Sequence, residues 1–382
     1  MMLRKPKPVA IFLLTLIILL IGWFIYAFEW TGWDFRNNLW APAHLLMHGE
    51  SPYNIKPLLD NCRCLALWFP QIITVFSPLG LLPLQQASNL WIIINASTVV
   101  VLTSFIMRQF KRENLNLLIY GLVLIAVFLF PPSVSHFRLG QADFVLIAAM
   151  IISAYMLAKE KVPLTAFGFA LVLAKPQIGF LTIPGALLSL IFKKKGQYSL
   201  RLALSTGLLV IALTIPFWLA DIHWLNDLIG SLQENRDWLQ PALIVQLQVK
   251  LGHQGFLLWL VIAISCLALS TVLWIKLHPS QAVLWSMALT TLAAPYIWSW
   301  DFTLLLPLFI DTAVRLTKAS SRLVLLTTWL LVFYFSIVSL KFNPGDDRLW
   351  WLPFIMLLGI IVSLALEYKV PSSSARPTLI NT

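Results

Sequence analysis

Residues 9–28 read VAIFLLTLIILLIGWFIYAF, an apolar run without a single charge. At about 1.5 Å of rise per residue, a helix of this length covers the roughly 30 Å hydrocarbon core of a bilayer. Arg4, Lys5 and Lys7 precede it. The run is nevertheless too long for the core of a signal peptide, and no small-residue cleavage site follows, so it reads as a retained anchor. The next residues, WTGWDFRNNLW at 30–40, set Asp34, Arg36 and two asparagines among tryptophans as soon as the chain leaves the lipid.

The rest of the chain repeats the apolar theme. Of 382 residues, 59% are hydrophobic and 11% charged, and the mean hydropathy is +0.83, which excludes an ordinary soluble domain. Long apolar runs in place of short alternating segments exclude an outer-membrane barrel. The net charge of +11 has to be divided between two membrane faces before it says anything about partners, and no nucleic-acid partner is expected. Basic clusters at Arg4 to Lys7, Arg108 to Arg112, Lys159 to Lys161, Lys193 to Arg201, Arg315 to Arg322 and near Lys369 each flank an apolar segment. The positive-inside rule makes them cytoplasmic.

This pattern predicts an all-α polytopic membrane protein with spans near 9–28, 87–107, 115–132, 142–158, 162–174, 177–192, 200–220, 254–276, 281–296, 301–314, 322–340 and 348–367. About twelve transmembrane helices put both termini in the cytoplasm, within one integral membrane domain over 1–368 and a short tail over 369–382. The proline-rich FPQIITVFSPLGLLP at 69–83 must then not cross, and is expected to be re-entrant or surface-lying.

With this topology the polar residues gather outside. They lie on the 29–68 loop, on SHFRLGQAD at 135–143, on the AKPQ turn at 174–177, on 221–252, on YIWSWD at 296–301 and on NPGDDR at 343–348. None of the clear spans has an ionisable residue near its centre, which counts against a pump or secondary transporter. Arg36, Arg138 and Lys175 fall on the outer face against the charge rule and need another reason to be there. A carboxylate can take a proton from a hydroxyl, and Arg or Lys can hold a phosphate and offset its charge as it leaves. Phosphate on a membrane lipid is the obvious anion at this depth.

Plainer readings stand beside these. Asp34 and Arg36 can be a solvated pair, the tryptophans an aromatic belt, Asp143 a first-turn acid, Asp301 a cap and Lys175 a snorkelling end residue. His44 and His48, four apart on NLWAPAHLLMHG, fit a helix lying flat on the membrane with Leu39, Ala43, Leu46 and Met47 on one face; no third metal ligand follows at helical spacing. The CRC at 62–64 is read as structural or incidental. No glycine-rich phosphate loop is present, so a nucleotide sugar is not expected.

Four stretches, in order, carry a family resemblance: DFRNNLWAPAHLLMHGESPY from Asp34, GQADFVL from Gly140, KPQIGFLTIPGALL followed by KKK from Lys175, and APYIWSWDFTLLLP from Ala294. The chain resembles the GT-C glycosyltransferases that use polyprenyl-phosphate sugars, and within them glycosyltransferase family 87, the mannosyltransferase-like integral membrane proteins. It departs in one place: where family members often carry histidines after the late tryptophan, it has Trp300 and Asp301.

The resemblance implies a GT-C-like helical bundle in the bacterial inner membrane with an extracytoplasmic active site. It implies inverting transfer of mannose or another hexose from a polyprenyl-phosphate donor to a lipid or glycan acceptor. A divalent metal at Asp34 and Asp143 is the alternative way to hold the phosphate, but with external bases available for it no metal or other cofactor is expected. Asp34 inherits the role of base. The candidate substrate-binding positions are Arg36, Asn37, Tyr53, Arg138, Gln141, Asp143, Lys175, Gln177, Trp298 and Asp301. A flippase or transporter of a lipid-linked sugar, and a catalytically silent assembly protein, are the alternatives from other classes.

Overall fold

The computed structural model describes residues 32–59, 64–109, 117–234, 239–342 and 345–368; the expected anchor at 9–28 and the tail at 369–382 lie outside them. Every regular element among the described residues is helical, as lipid demands of a backbone that must satisfy its own hydrogen bonds. Trp33–Phe35, a π-spaced turn Arg36–Trp40 and α1 (Ala41–Met47) run on from one another. Pro42 has no N–H to give the carbonyl one turn back, and the widened turn directly before it relieves that mismatch. α2 (Pro70–Val75) and a 3-10 turn Ser77–Leu81 come next.

The bundle then follows as α3 (Leu84–Gln109), α4 (Leu117–Phe128), α5 (Pro131–Leu139), α6 (Asp143–Ala158), α7 (Val162–Val172), α8 (Thr182–Phe192) and α9 (Gly196–Ala220). α10 (Trp224–Glu234), α11 (Leu243–Leu251), α12 (His253–Lys276) and α13 (Pro279–Ala293) lead to a 3-10 segment Ser299–Leu305 that runs into α14 (Leu306–Arg315). α15 (Ala319–Phe342), a 3-10 turn Asp346–Leu349 and α16 (Leu352–Tyr368) complete the described chain.

Five segments are long and apolar enough to cross a membrane: α3, α9, α12, Ala319–Ser339 and Asp346–Tyr368. α4 and α5, bent by 62° where Pro131 and Pro132 interrupt the helix, make a sixth if counted as one span. The expected count of twelve is not reached among the described residues. The spans assigned to 142–158, 162–174, 177–192, 281–296 and 301–314 are helices of 16, 11, 11, 15 and 10 residues, at most about 24 Å long at 1.5 Å per residue. Pro176 and Pro295 lie just beyond where α7 and α13 stop. The 69–83 segment is a six-residue helix and a five-residue turn, too short to cross.

Short and long helices divide the work of burial. α13 and α14 bury most of their residues, including Ala282, Val283, Met287, Leu308 and Ile310. In α9 only 17% of the most apolar window is buried, and Leu204, Leu208, Ile211 and Leu219 face outward. An outer face as apolar as the core belongs in lipid. Small residues let helices approach: a Cβ on Gly168 of α7 would fall 1.9 Å from Ser153 Oγ of α6.

The amphipathic segment expected to lie flat is seated on the 77–81 turn. Leu39 and Ala43 are buried while Met47 is 42% exposed, so the expected apolar face is only partly used. Trp40 Nε1 donates to the Leu82 carbonyl at 2.9 Å, and His44 Nδ1 to the Gly80 carbonyl at 2.8 Å. His48 Nδ1 donates to the His44 carbonyl at 2.7 Å. A Cβ on Gly80 would lie 2.4 Å from the Ala43 carbonyl carbon and 2.4 Å from His44 N, backbone atoms that cannot swing aside. Gly80→Ala is therefore expected to lower stability by about 1–3 kcal/mol, read as a fall in Tm in detergent. Gly207→Ala, which meets nothing within 4 Å, is the control and should hold or raise Tm. Equal Tm values for the two variants would show that α1 does not depend on this seat.

Candidate active site

Two glycines bring the first loop to the bundle. Gly32 (φ +49) and Gly140 (φ +71) occupy the left-handed region, where a side chain is strained. They face each other so closely that a Cβ on Gly32 would lie 2.4 Å from the Leu139 carbonyl oxygen, and one on Gly140 would lie 2.6 Å from Phe35 Cβ. The Gly32 N–H donates to the Arg138 carbonyl at 3.3 Å, and Trp91 Nε1 donates to the Gly140 carbonyl at 2.8 Å. Asp34 is thereby set beside Gln141, the residue after Gly140.

Gln141 joins two halves of the site. Its Nε2 donates to Asp34 Oδ2, and its Oε1 accepts from Lys175 Nζ at 3.0 Å. Asn38 Nδ2 reaches the other Asp34 oxygen at 3.4 Å, one helical turn on, and Asn38 Oδ1 accepts from the Leu67 N–H at 2.6 Å. Lys175 stands on the turn between α7 and α8, pinned where the Phe69 N–H donates to the Ala174 carbonyl at 3.2 Å. Its ammonium also donates to Asp143 Oδ1 at 2.5 Å and to Asp301 Oδ1 at 2.8 Å, so all three N–H groups have acceptors. Asp143 and Asp301 are fully buried behind it.

Burial acts on the two ends differently. Asp34 has lost much of its water, and desolvation pushes its carboxyl from 3.8 up to about 6, against the pull of Lys175 and the Gln141 hydrogen bond. Burial alone would lower the Lys175 pKa, but Asp143 and Asp301 hold it above its ordinary value. The lysine therefore stays charged.

A cavity of about 330 Å³ opens over this floor, lined by Asp34, Asn38, Gln141, Lys175 and Gln177 on the polar side. Trp68, Phe69, Phe180, Tyr296, Trp298 and Trp300 form much of its apolar lining. Trp298 and Trp300 stack with centroids 5.0 Å apart and 10° between planes, and Trp298 Nε1 donates to Tyr296 OH at 2.7 Å. A desolvated carboxylate, amides that can bind hydroxyls and an aromatic wall make a combination suited to a sugar.

The structure brings together most of the sequence candidates, in several places with a different task. Asp34, Gln141, Lys175, Gln177 and Trp298 line the cavity. Asp143 and Asp301 do not; they hold Lys175, and Asp301 also caps its segment as its plainer reading had it, through the Trp298 N–H at 3.0 Å. Tyr53 is buried with its hydroxyl on the Trp68 carbonyl at 2.7 Å, bracing the wall from behind. Asn37 is buried and accepts from Arg36 Nε at 3.0 Å; its neighbour Asn38 is the one facing the cavity. Arg36 lies over the Trp33 ring at 4.6 Å and donates to Cys64 Sγ at 3.4 Å, and Arg138 is exposed; neither lines the cavity. Cys64 is disulfide-bonded. Among the described residues no group of three or more His, Cys, Asp or Glu is placed to hold a metal. Asn38 was missed although its position four after Asp34 is the spacing at which helical side chains meet.

No curated protein and no solved structure matches the chain. Residues 69–307 match the model of glycosyltransferase family 87, a match that takes in Gln141, Lys175, Trp298 and Asp301 and begins after Asp34. Matched over more than half its length, and carrying the apolar spans of a membrane protein, the chain belongs to glycosyltransferase family 87 and is a membrane glycosyltransferase.

Proposed function

We propose that the protein transfers a hexose, mannose first among candidates, from a polyprenyl-phosphate donor to a lipid or glycan acceptor, with Asp34 as general base. The observation that carries this reading is a carboxylate with its pKa raised to about 6, presented to a cavity with an aromatic wall. Asp34 takes the proton of the acceptor hydroxyl, whose oxygen attacks the anomeric carbon. The bond from that carbon to the phosphate oxygen breaks with inversion, and the polyprenyl phosphate leaves with the electron pair.

Lys175 is the cation in the cavity lining and meets the leaving phosphate. Two carboxylates already neutralise it, so donor binding leans on the sugar and the lipid chain more than on charge. Arg36 and Arg138, outside the lining, serve the lipid headgroup. The outer face of the bacterial inner membrane is the compartment this reading assigns, with both termini in the cytoplasm. The distribution of basic clusters supports it, as does the disulfide at Cys64, since disulfides persist in oxidising surroundings.

Asp34→Asn should lower turnover by about 10²–10⁴-fold, measured with reconstituted protein, a polyprenyl-phosphate hexose and envelope acceptor. Its fold should be kept, because an amide is easier to bury than a carboxylate. Sugar transfer at the wild-type rate by this variant would end the assignment.

The wild-type kcat/KM should rise with pH through a midpoint of about 6, as Asp34 loses its proton. Stability follows the opposite sign. The folded state holds that proton more tightly than the unfolded chain, so the Asp34 contribution is full below 3.8 and is lost as pH rises through about 6. Asp34→Asn should remove that part of the pH dependence of Tm. A kcat/KM profile flat between pH 5 and 7, limits placed about one unit on either side of the expected midpoint, would contradict the role of Asp34.

A further inference from the structure

Tyr296 and Trp298 of the aromatic wall lie on an irregular stretch, since the helix ends at Ala293 and the 3-10 segment that carries Trp300 starts only at Ser299. Something other than helix packing has to hold it. Two carboxylates do so at successive backbone donors. Asp301 Oδ2 accepts from the Trp298 N–H at 3.0 Å, and Asp346 Oδ2 accepts from the Ser299 N–H at 3.0 Å. The second oxygen of Asp346 accepts the Ser299 hydroxyl. Asp346 thus uses both oxygens on one residue, from a turn that opens the last long apolar segment. Ser299 sits between the two stacked indoles and two residues before the carboxylate that holds Lys175.

We propose that Asp346 is a positioning residue for the cavity wall: by gripping Ser299 at its N–H and its hydroxyl, it fixes Trp298 and Trp300 as a parallel stack and keeps Asp301 on Lys175. Residue 346 lies beyond the 69–307 family match. What the wall binds rests on the sugar-transfer reading above; the latch itself does not.

Two readouts separate the inference from that reading. Circular dichroism comes first: the difference between wild type and Trp300→Phe isolates the exciton band of the stacked indoles. Asp346→Ala should lose the same band. Asp346→Asn should keep it, because an amide can accept from the Ser299 N–H and donate to the hydroxyl oxygen. Kinetics come second: Asp346→Ala should raise KM for a polyprenyl-phosphate hexose by about three- to tenfold, the size of a lost aromatic contact, with a smaller change in kcat. The pH midpoint should stay in place and Asp346→Asn should restore KM.

Ser299→Ala, which removes the hydroxyl and leaves the N–H bond, should show an intermediate band loss and decides the case if Asp346→Ala does not fold. An intact exciton band in Asp346→Ala, or in Ser299→Ala should Asp346→Ala be unfolded, overturns the proposal whether or not the donor class is right. So does a loss in Asp346→Ala confined to kcat. If wild-type protein turns over none of the polyprenyl-phosphate sugars, the donor assignment fails and the spectrum alone decides the latch.

Discussion

One buried ammonium holds the site together. Lys175 Nζ has three donors and meets three acceptors from different parts of the chain: Gln141 and Asp143 at the head of α6, and Asp301 in the 3-10 segment before α14. Withdrawing the ammonium from this cluster would leave two buried carboxylates without a counter-charge, a penalty of several kcal/mol per ion. The cluster therefore favours one relative placement of these segments. It need not add much net stability, because desolvating the charges offsets most of their attraction. Its contribution is to geometry, and through Gln141 that geometry reaches Asp34.

Asp34 differs in that it is supported by neutral groups. Amides of Gln141 and Asn38 are its hydrogen-bond partners, and Lys175 is linked to it through the glutamine. Had Lys175 paired directly with Asp34, the carboxylate would have been pulled toward low pKa and made a poor base. A glutamine between them transmits orientation while leaving desolvation as the larger influence. The interlocked glycines at 32 and 140 make this spacing possible by letting backbone approach backbone.

The membrane sets the outer boundary of the same design. Long helices such as α9 turn apolar side chains to the lipid, whereas the shorter α13 and α14 sit inside and bury their surfaces against neighbours. Short inner helices end within the bundle. The polar backbone groups of such breaks are tolerable at membrane depth only where protein or a cavity surrounds them, and the AKPQ turn and the 294–299 stretch are both breaks that line the cavity.

The sequence by itself determined that the chain is an all-helical membrane protein of this glycosyltransferase family. Apolar runs and ordered motifs are local properties, and lipid leaves the backbone few alternatives. It also placed Asp34, Gln141, Lys175 and Asp301 on loops that do meet. The count of twelve spans is not confirmed among the described residues, where hydropathy alone does not tell a long lipid-facing helix from a short buried one, as at 162–174 and 301–314.

The tasks of individual side chains came only from the tertiary structure. Asp143 and Asp301 hold a lysine and do not line the cavity, Asn38 faces it where Asn37 does not, and Arg138 turns away. Asp346 became visible only where it meets Ser299, across 47 positions of chain. Direction and desolvation depend on which distant segments pack together, and no spacing along a single chain encodes that.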